Sequence, residues 1–187
     1  MQRLPHLVTP HAELTVLPPE RAELVLDYYL RNRDHLEPWE PLRPAGFYTL
    51  TYWNHRLRDS YQQCFNGSAI NLAALDGSGN MIASCNFTNI IHGVFQACYL
   101  GYSIDQRYQG KGLMQELLTS AIDYMFTDQQ LHRIMASYMP RNERSGRLLE
   151  KLGFEKEGLA RDYLMINGRW EDHVMTALIN PTSRQRK

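Results

Sequence analysis

Two periods of hydrophobic residues divide the chain. Leu24, Val25, Tyr28 and Tyr29 recur at helical spacing and predict a helix from Pro19 through about Asn32. A short strand is expected before it at Glu13–Leu17, closed by Pro18 and Pro19. Leu50, Trp53, Leu57 and Tyr61 predict a second helix over Leu50–Phe65. Between the helices, Asp34–Pro44 holds three prolines and is expected to be a stiff, non-helical connector. The pattern then turns to runs of apolar residues with polar ones interleaved, at Ser68–Leu75, Met81–Ile91 and Ala97–Ile104. Asp76-Gly-Ser-Gly-Asn80 is a strong turn signal between the first two, so an antiparallel meander is expected. Helical spacing returns over Gly112–Phe126 through Leu113, Leu117, Ala121 and Met125. His132–Met139 reads as a strand and Asn142–Leu152 as a helix. Gly158–Ile179 reads as two strands around Asn167-Gly168, a dipeptide suited to tight hairpins. The order β-α-α-β-β-β-α-β-α-β-β predicts an α/β (α+β) class: a mixed, mostly antiparallel twisted sheet of about seven strands flanked by four helices.

Composition narrows the function. At 187 residues the chain is expected to form a single domain, 1–187, with its core over about 12–180 and a basic tail over 181–187. That tail carries Arg184, Arg186 and Lys187. Lys plus Arg total 20 and Asp plus Glu total 20, so no global field grips DNA or an anionic membrane, and neither is expected as a partner. Cys64, Cys85 and Cys98 form no metal or disulfide spacing; free thiols in a cytoplasmic protein are expected, with no metal. Pro5 and Pro10 interrupt the N-terminus, which lacks the apolar run of a signal peptide.

The candidate chemistry lies in Tyr99-Leu-Gly-Tyr-Ser-Ile-Asp-Gln-Arg-Tyr-Gln-Gly-Lys-Gly-Leu-Met114. A strand runs into a polar loop with two glycines and then into an amphipathic helix. The first amides of a helix have no internal partners, and the helix dipole adds partial positive charge there. Such a mouth suits a pyrophosphate. Gly110 and Gly112 supply positive φ and leave no Cβ against the phosphate oxygens, while Arg107 and Lys111 add charge at the rim. An isolated G-x-G more often makes only a tight turn. Here it stands as R-x-x-G-x-G at a strand-to-helix junction after a meander, and it matches neither the dinucleotide fingerprint nor a P-loop.

Arg107-Tyr-Gln-Gly-Lys-Gly112 resembles the coenzyme A pyrophosphate loop of GNAT acetyltransferases. Asn142-Glu-Arg-Ser-Gly-Arg-Leu-Leu-Glu-Lys-Leu-Gly-Phe154 resembles that family's N-x-x-S-x-x-L-x-x-x-G-F segment, in the expected order and separation. The resemblance implies the GNAT fold, acetyl-CoA as cofactor, and a strand pair that parts to admit the pantetheine arm. It implies main-chain contacts from Tyr102, Ser103 and Ile104, and pyrophosphate contacts from Arg107, Gln109, Gly110, Lys111, Gly112 and Leu113. Asn142 then both caps its helix and touches the cofactor, and Ser145 donates a hydrogen bond to the leaving thiolate. Many members carry a glutamate where this chain has Tyr99, which opens the question of the base. Glu116, Asp162, Glu171 and Asp172 are candidates, with Asp172 preferred and a hairpin-fixing role as its alternative; His173 could do either job and is more often structural at such a position. Leu36 and Trp39 of the connector, and Asn89 with Phe87 and Thr88, are expected to wall the acceptor pocket. A buried aromatic anchor is the competing reading for Trp39.

Leu36-Glu-Pro-Trp-Glu-Pro41, Cys98–Ile104, His132–Met135, Tyr138-Met-Pro140 and Asp172-His-Val174 further resemble the branch of the family that acetylates ribosomal proteins. The acceptor this implies is the N-terminal alanine of small-subunit ribosomal protein five, with the small ribosomal subunit as a wider partner and the chain a monomer or homodimer. Other amine acceptors, and an assembly factor or acyl-CoA sensor with little turnover, stay open as alternatives.

Overall fold

The computed structural model describes residues 4–183, so the basic residues Arg184, Arg186 and Lys187 lie outside the described residues. Eight strands form one sheet: β1 (His6–Val8), β2 (Glu13–Thr15), β3 (Ile70–Leu75), β4 (Met81–Ile91), β5 (Ala97–Ile104), β6 (Arg133–Tyr138), β7 (Glu155–Ile166) and β8 (Arg169–Ile179). Their spatial order is β1-β2-β3-β4-β5-β6-β8-β7. Only β5 and β6 pair parallel; every other neighbouring pair is antiparallel.

Among the described residues five α-helices flank the sheet: α1 (Ala22–Arg31), α2 (Arg33–Leu36), α3 (Leu50–Phe65), α4 (Leu113–Thr127) and α5 (Glu143–Lys151). Two expectations need correction. The sheet has an eighth strand, β1, which pairs Leu7 with Leu14 and is too short for its period to show in the sequence. The connector is also not wholly non-helical, because α2 and a 3-10 turn at Glu37–Trp39 occupy its first half. Pro38 sits in the first positions of that turn, where a missing N–H breaks no bond.

Strand alternation places the helices on opposite faces. Leu72, Cys85, Phe87 and Leu100 pack with Leu113, Leu117, Leu118 and Met125 of α4 and with Leu149 of α5. Ala73, beside Leu72 on β3, belongs instead to a second cluster with Val25, Tyr28, Trp53 and Leu57 from α1 and α3. Tyr28 is fully buried there, and its hydroxyl meets Ser103 Oγ at 2.8 Å.

Candidate active site

The pairing between β5 and β6 stops early. Ala97, Cys98 and Tyr99 face Arg133, Ile134 and Met135, but β5 continues to Ile104 and β6 to Tyr138 without further pairing. The two strands therefore part beyond Tyr99 and Met135. Leu100–Ile104 then present one edge of polar backbone that no strand satisfies, a template for an extended amide-bearing ligand.

At the far end of β5 the chain turns sharply. Asp105 is 1% exposed. Its carboxylate accepts the Arg107 main-chain N–H (2.9 Å), Arg107 Nε (3.0 Å) and Arg107 Nη2 (2.8 Å). Burial alone would raise its pKa; the Arg107 hydrogen bonds outweigh burial and hold it well below the usual carboxylate range. Arg107 thus braces the loop with its main-chain N–H and two guanidinium nitrogens on Asp105, while its side chain stays 59% exposed at the rim. Lys111 stays exposed, its Nζ 5.7 Å from the Tyr108 ring centre.

The glycines behave as the loop requires. Gly110 and Gly112 have φ of 72° and 78°, and a Cβ on either would meet nothing within 4 Å. Gly112 is the N-cap of α4 and provides no side-chain cap. The first main-chain bond into the helix runs from Glu116 N–H to Gly112 O (3.2 Å), so the amides of Leu113, Met114 and Gln115 keep no main-chain acceptor among the described residues. Unpartnered amides beside open space fit a diphosphate group. Gln109 does not reach into it by side chain: its Nε2 donates to His35 Nε2 (3.0 Å) and its Oε1 accepts from Arg144 Nη1 (2.7 Å).

Across the gap stands α5. Ser145 N–H donates to Asn142 Oδ1 (3.3 Å), which is the N-cap bond expected of Asn142. Ser145 Oγ lies 2.6 Å from the Tyr102 hydroxyl, bridging β5 to α5 where the strands have parted. Burial, only partly offset by the Ser145 hydrogen bond, pushes the Tyr102 phenol up to about 12, so it keeps its proton at neutral pH. Gly146 lets the helix come this close, since a Cβ there would lie 2.8 Å from the Tyr138 ring. Ser103 faces the other side of the sheet, where Tyr28 and Ser84 (2.9 Å) occupy its hydroxyl, leaving only its main chain for a cofactor. Ile104 is half-buried and Leu113 buried.

The acceptor side is more dispersed. Trp39 lies under the Arg141 guanidinium, 5.0 Å from ring centre to Cζ, and Arg141 also bonds Pro38 O and Glu171 Oε1, both at 3.1 Å. Leu36 is buried and lines a cavity of about 460 Å³ with Tyr29, Phe47 and Tyr48. No residue of β5 or β6 lines that cavity, so it is separate from the parted strands. Asn89 is exposed at a bulge of β4 with φ of 51°. Asp172 Oδ1 accepts the Asp162 N–H (2.9 Å) and so holds the bulge of β7, where Asp162 has φ of 46°. Glu116 bonds the His11 main chain (3.1 Å) and ring (2.7 Å). All three cysteines are free and buried, and burial pushes Cys98 up to about 12, which removes it as a thiolate nucleophile.

A family model for the acetyltransferase (GNAT) domain matches residues 14–155. The chain belongs to the GNAT acetyltransferase family. Acetyl-CoA is that family's acyl donor. The chain is 53% identical over 156 residues to the [ribosomal protein uS5]-alanine N-acetyltransferase of Escherichia coli (strain K12), covering 83% of this chain and 80% of that one. The crystal structure of a ribosomal-protein-S5-alanine acetyltransferase from Vibrio fischeri superposes with a TM-score of 0.91 at 40% identity, covering 95% of this chain and 97% of the other. Mycobacterium smegmatis RimJ, solved in complex with CoA-disulfide, gives 0.87 at 26% identity, covering 98% and 89%. The structure adds Asp105, Arg144 and the Tyr102 side chain to the site expected by sequence. An Asp two residues before an Arg at a strand end was a legible signal for the first; the others meet their partners only in space.

Proposed function

We propose that this chain transfers the acetyl group of acetyl-CoA to a protein N-terminal α-amine, with the N-terminal alanine of ribosomal protein uS5 as the acceptor. The donor half rests on one observation: the unpartnered amides at the start of α4 open beside the parted edges of β5 and β6. The acceptor half is supported by the 53% identity to the Escherichia coli enzyme over 83% of the chain. On the same footing we read residues 1–187 as one catalytic domain acting in the cytoplasm; no helix among the described residues is long and apolar enough to cross a membrane.

Bound acetyl-CoA supplies an acyl group already activated as a thioester. Gly110–Leu113 and the first turn of α4 hold its diphosphate, with Lys111 at the rim and Asp105 keeping the loop in shape through Arg107. The main chain of Tyr102, Ser103 and Ile104 aligns the pantetheine arm. The Ser145–Tyr102 hydroxyl pair delivers a proton to the departing sulfur, with Asn142 fixing the turn that carries Ser145. Trp39 and Asn89 are read as bordering the acceptor entrance, with Leu36 buried behind Trp39's connector, and Arg141 ties Trp39 to β8 through Glu171. An α-amine also needs little activation. From reference values it is unprotonated a few hundred times (~400-fold) more often than a lysine near neutral pH.

The test is a peptide panel varied at its first residue, read by thiol release and intact mass. Alanine-starting peptides carrying the uS5 N-terminus gain one acetyl group, and peptides with a pre-acetylated N-terminus gain none. Equal rates on a free polyamine would move the acceptor assignment elsewhere in the family. A flat time course with every amine would leave an acyl-CoA-binding factor.

A further inference from the structure

Three of the four carboxylates weighed as the base are engaged elsewhere, and the fourth, Asp162, stands exposed at the bulge of β7. Asp172 holds the Asp162 amide, Glu171 pairs with Arg141, and Glu116 is tied to His11 on the α4 side of the sheet. His173 differs. It is 4% exposed, on β8 next to Val174, the partner of Tyr138 at the end of β6. Val174 and Leu178 pack toward α4 and α5, so His173 faces the opposite side, the one that Tyr99 also faces. Its Nδ1 lies 2.9 Å from the Glu171 carbonyl oxygen. A carbonyl only accepts, so Nδ1 carries the proton, and in the neutral ring Nε2 keeps the lone pair. The Tyr163 ring lies 5.6 Å from the imidazole, centre to centre. Burial raises the Tyr163 phenol; Tyr99 and His173 stand on β5 and β8, the two strands that flank β6, on the face away from α4 and α5.

We propose that His173 is the base of the transfer, accepting at Nε2 the proton of the incoming α-ammonium. The proposal rests on the transferase reading above. The proton account is closed. The ammonium gives one proton to His173, which later releases it to solvent, and the freed amine attacks the acetyl carbonyl carbon. As the new C–N bond replaces the C–S bond, the second nitrogen proton is lost and the thiolate is protonated through Ser145 and Tyr102. One amide, one thiol and one free proton result. Nδ1–H stays on the Glu171 carbonyl throughout, which holds the ring still. The titratable and charged groups that face the ring are Tyr163 from β7 and Glu171 on its own strand, itself paired to Arg141, with Tyr99 of β5 on the same face of the sheet.

The deciding variant is His173→Asn, whose amide nitrogen overlays Nδ1 and preserves the bond to Glu171 while removing the basic nitrogen. With an alanine-starting peptide we expect kcat to fall about sevenfold near pH 7, the factor by which the ammonium outweighs the neutral amine there. Coenzyme A affinity by calorimetry stays unchanged, and the residual rate climbs with pH up to about 8 and then levels as the amine becomes wholly neutral. His173→Ala regains turnover on addition of imidazole. In the free unaltered chain, imidazole 15N resonances show the Nδ1–H tautomer. An unaltered kcat and pH profile in His173→Asn, or an Nε2–H tautomer in the free chain, overturns the proposal alone. Absence of turnover by the unaltered chain overturns the transferase reading and this proposal with it.

Discussion

At the scale of single residues, the proposed site joins the Tyr102 and Ser145 hydroxyls to the amides at the start of α4. Tyr102 and Ser145 share a 2.6 Å hydrogen bond, so neither acts alone. Ser145→Ala is expected to lower kcat about tenfold or more while leaving KM for acetyl-CoA near its original value, because a donor to the leaving sulfur matters most as the bond breaks. Tyr102→Phe is expected to do the same, and the double variant to be no worse than the worse single one. Stopped-time thiol release across this cycle checks it, and fully additive losses would show that the two hydroxyls work separately. Arg107 teaches the same lesson from the other side. Read along the chain it is a phosphate-binding cation; in space its guanidinium braces Asp105.

At the scale of elements, two close approaches shape the cleft. Gly112 ends the loop in a left-handed conformation and starts α4, and its open surroundings separate backbone strain from steric blockage. Gly112→Ala is expected to lower stability by about 1–2 kcal/mol through its positive φ and to retain coenzyme A binding. Gly112→Asp sets a carboxylate against the diphosphate and is expected to abolish binding in titration calorimetry. Equal affinities for the two variants would remove the start of α4 from the cofactor site. Gly146 plays the corresponding part on α5, where the Tyr138 ring fills the space of its missing side chain. Both helices thus reach the gap from one face of the sheet, while the connector and the β7–β8 hairpin border it from the other.

At the scale of the whole molecule, Asp105 couples the loop to folding. Its folded pKa is depressed, so its contribution is complete above the unfolded aspartate value of about 3.9 and is lost as pH falls from there toward the folded value. Thermal unfolding followed from pH 7 downward is expected to show Tm falling below about pH 4. Asp105→Asn is expected to have a lower Tm at pH 7 and a shallower acid limb, since Arg107 and Arg31 lose their shared carboxylate. Parallel acid limbs in the two proteins would show that Asp105 bears no part of that dependence.

The period of hydrophobic residues, which is a local property, was enough for the order of the long elements. The β4, β5 and α3 boundaries match the expected ones, and the two glycine-bearing signatures were enough to point to the family. Elements of three or four residues, β1 and α2, hold too few positions to show a period. Tertiary structure alone decided where β5 and β6 stop pairing, because parallel pairing joins residues more than thirty positions apart and leaves no local mark. It also decided which polar groups are free. Asp172 and His173 are neighbours in sequence, but strand alternation turns them to opposite faces, and their hydrogen bonds leave the carboxylate holding a bulge and the imidazole with a lone pair.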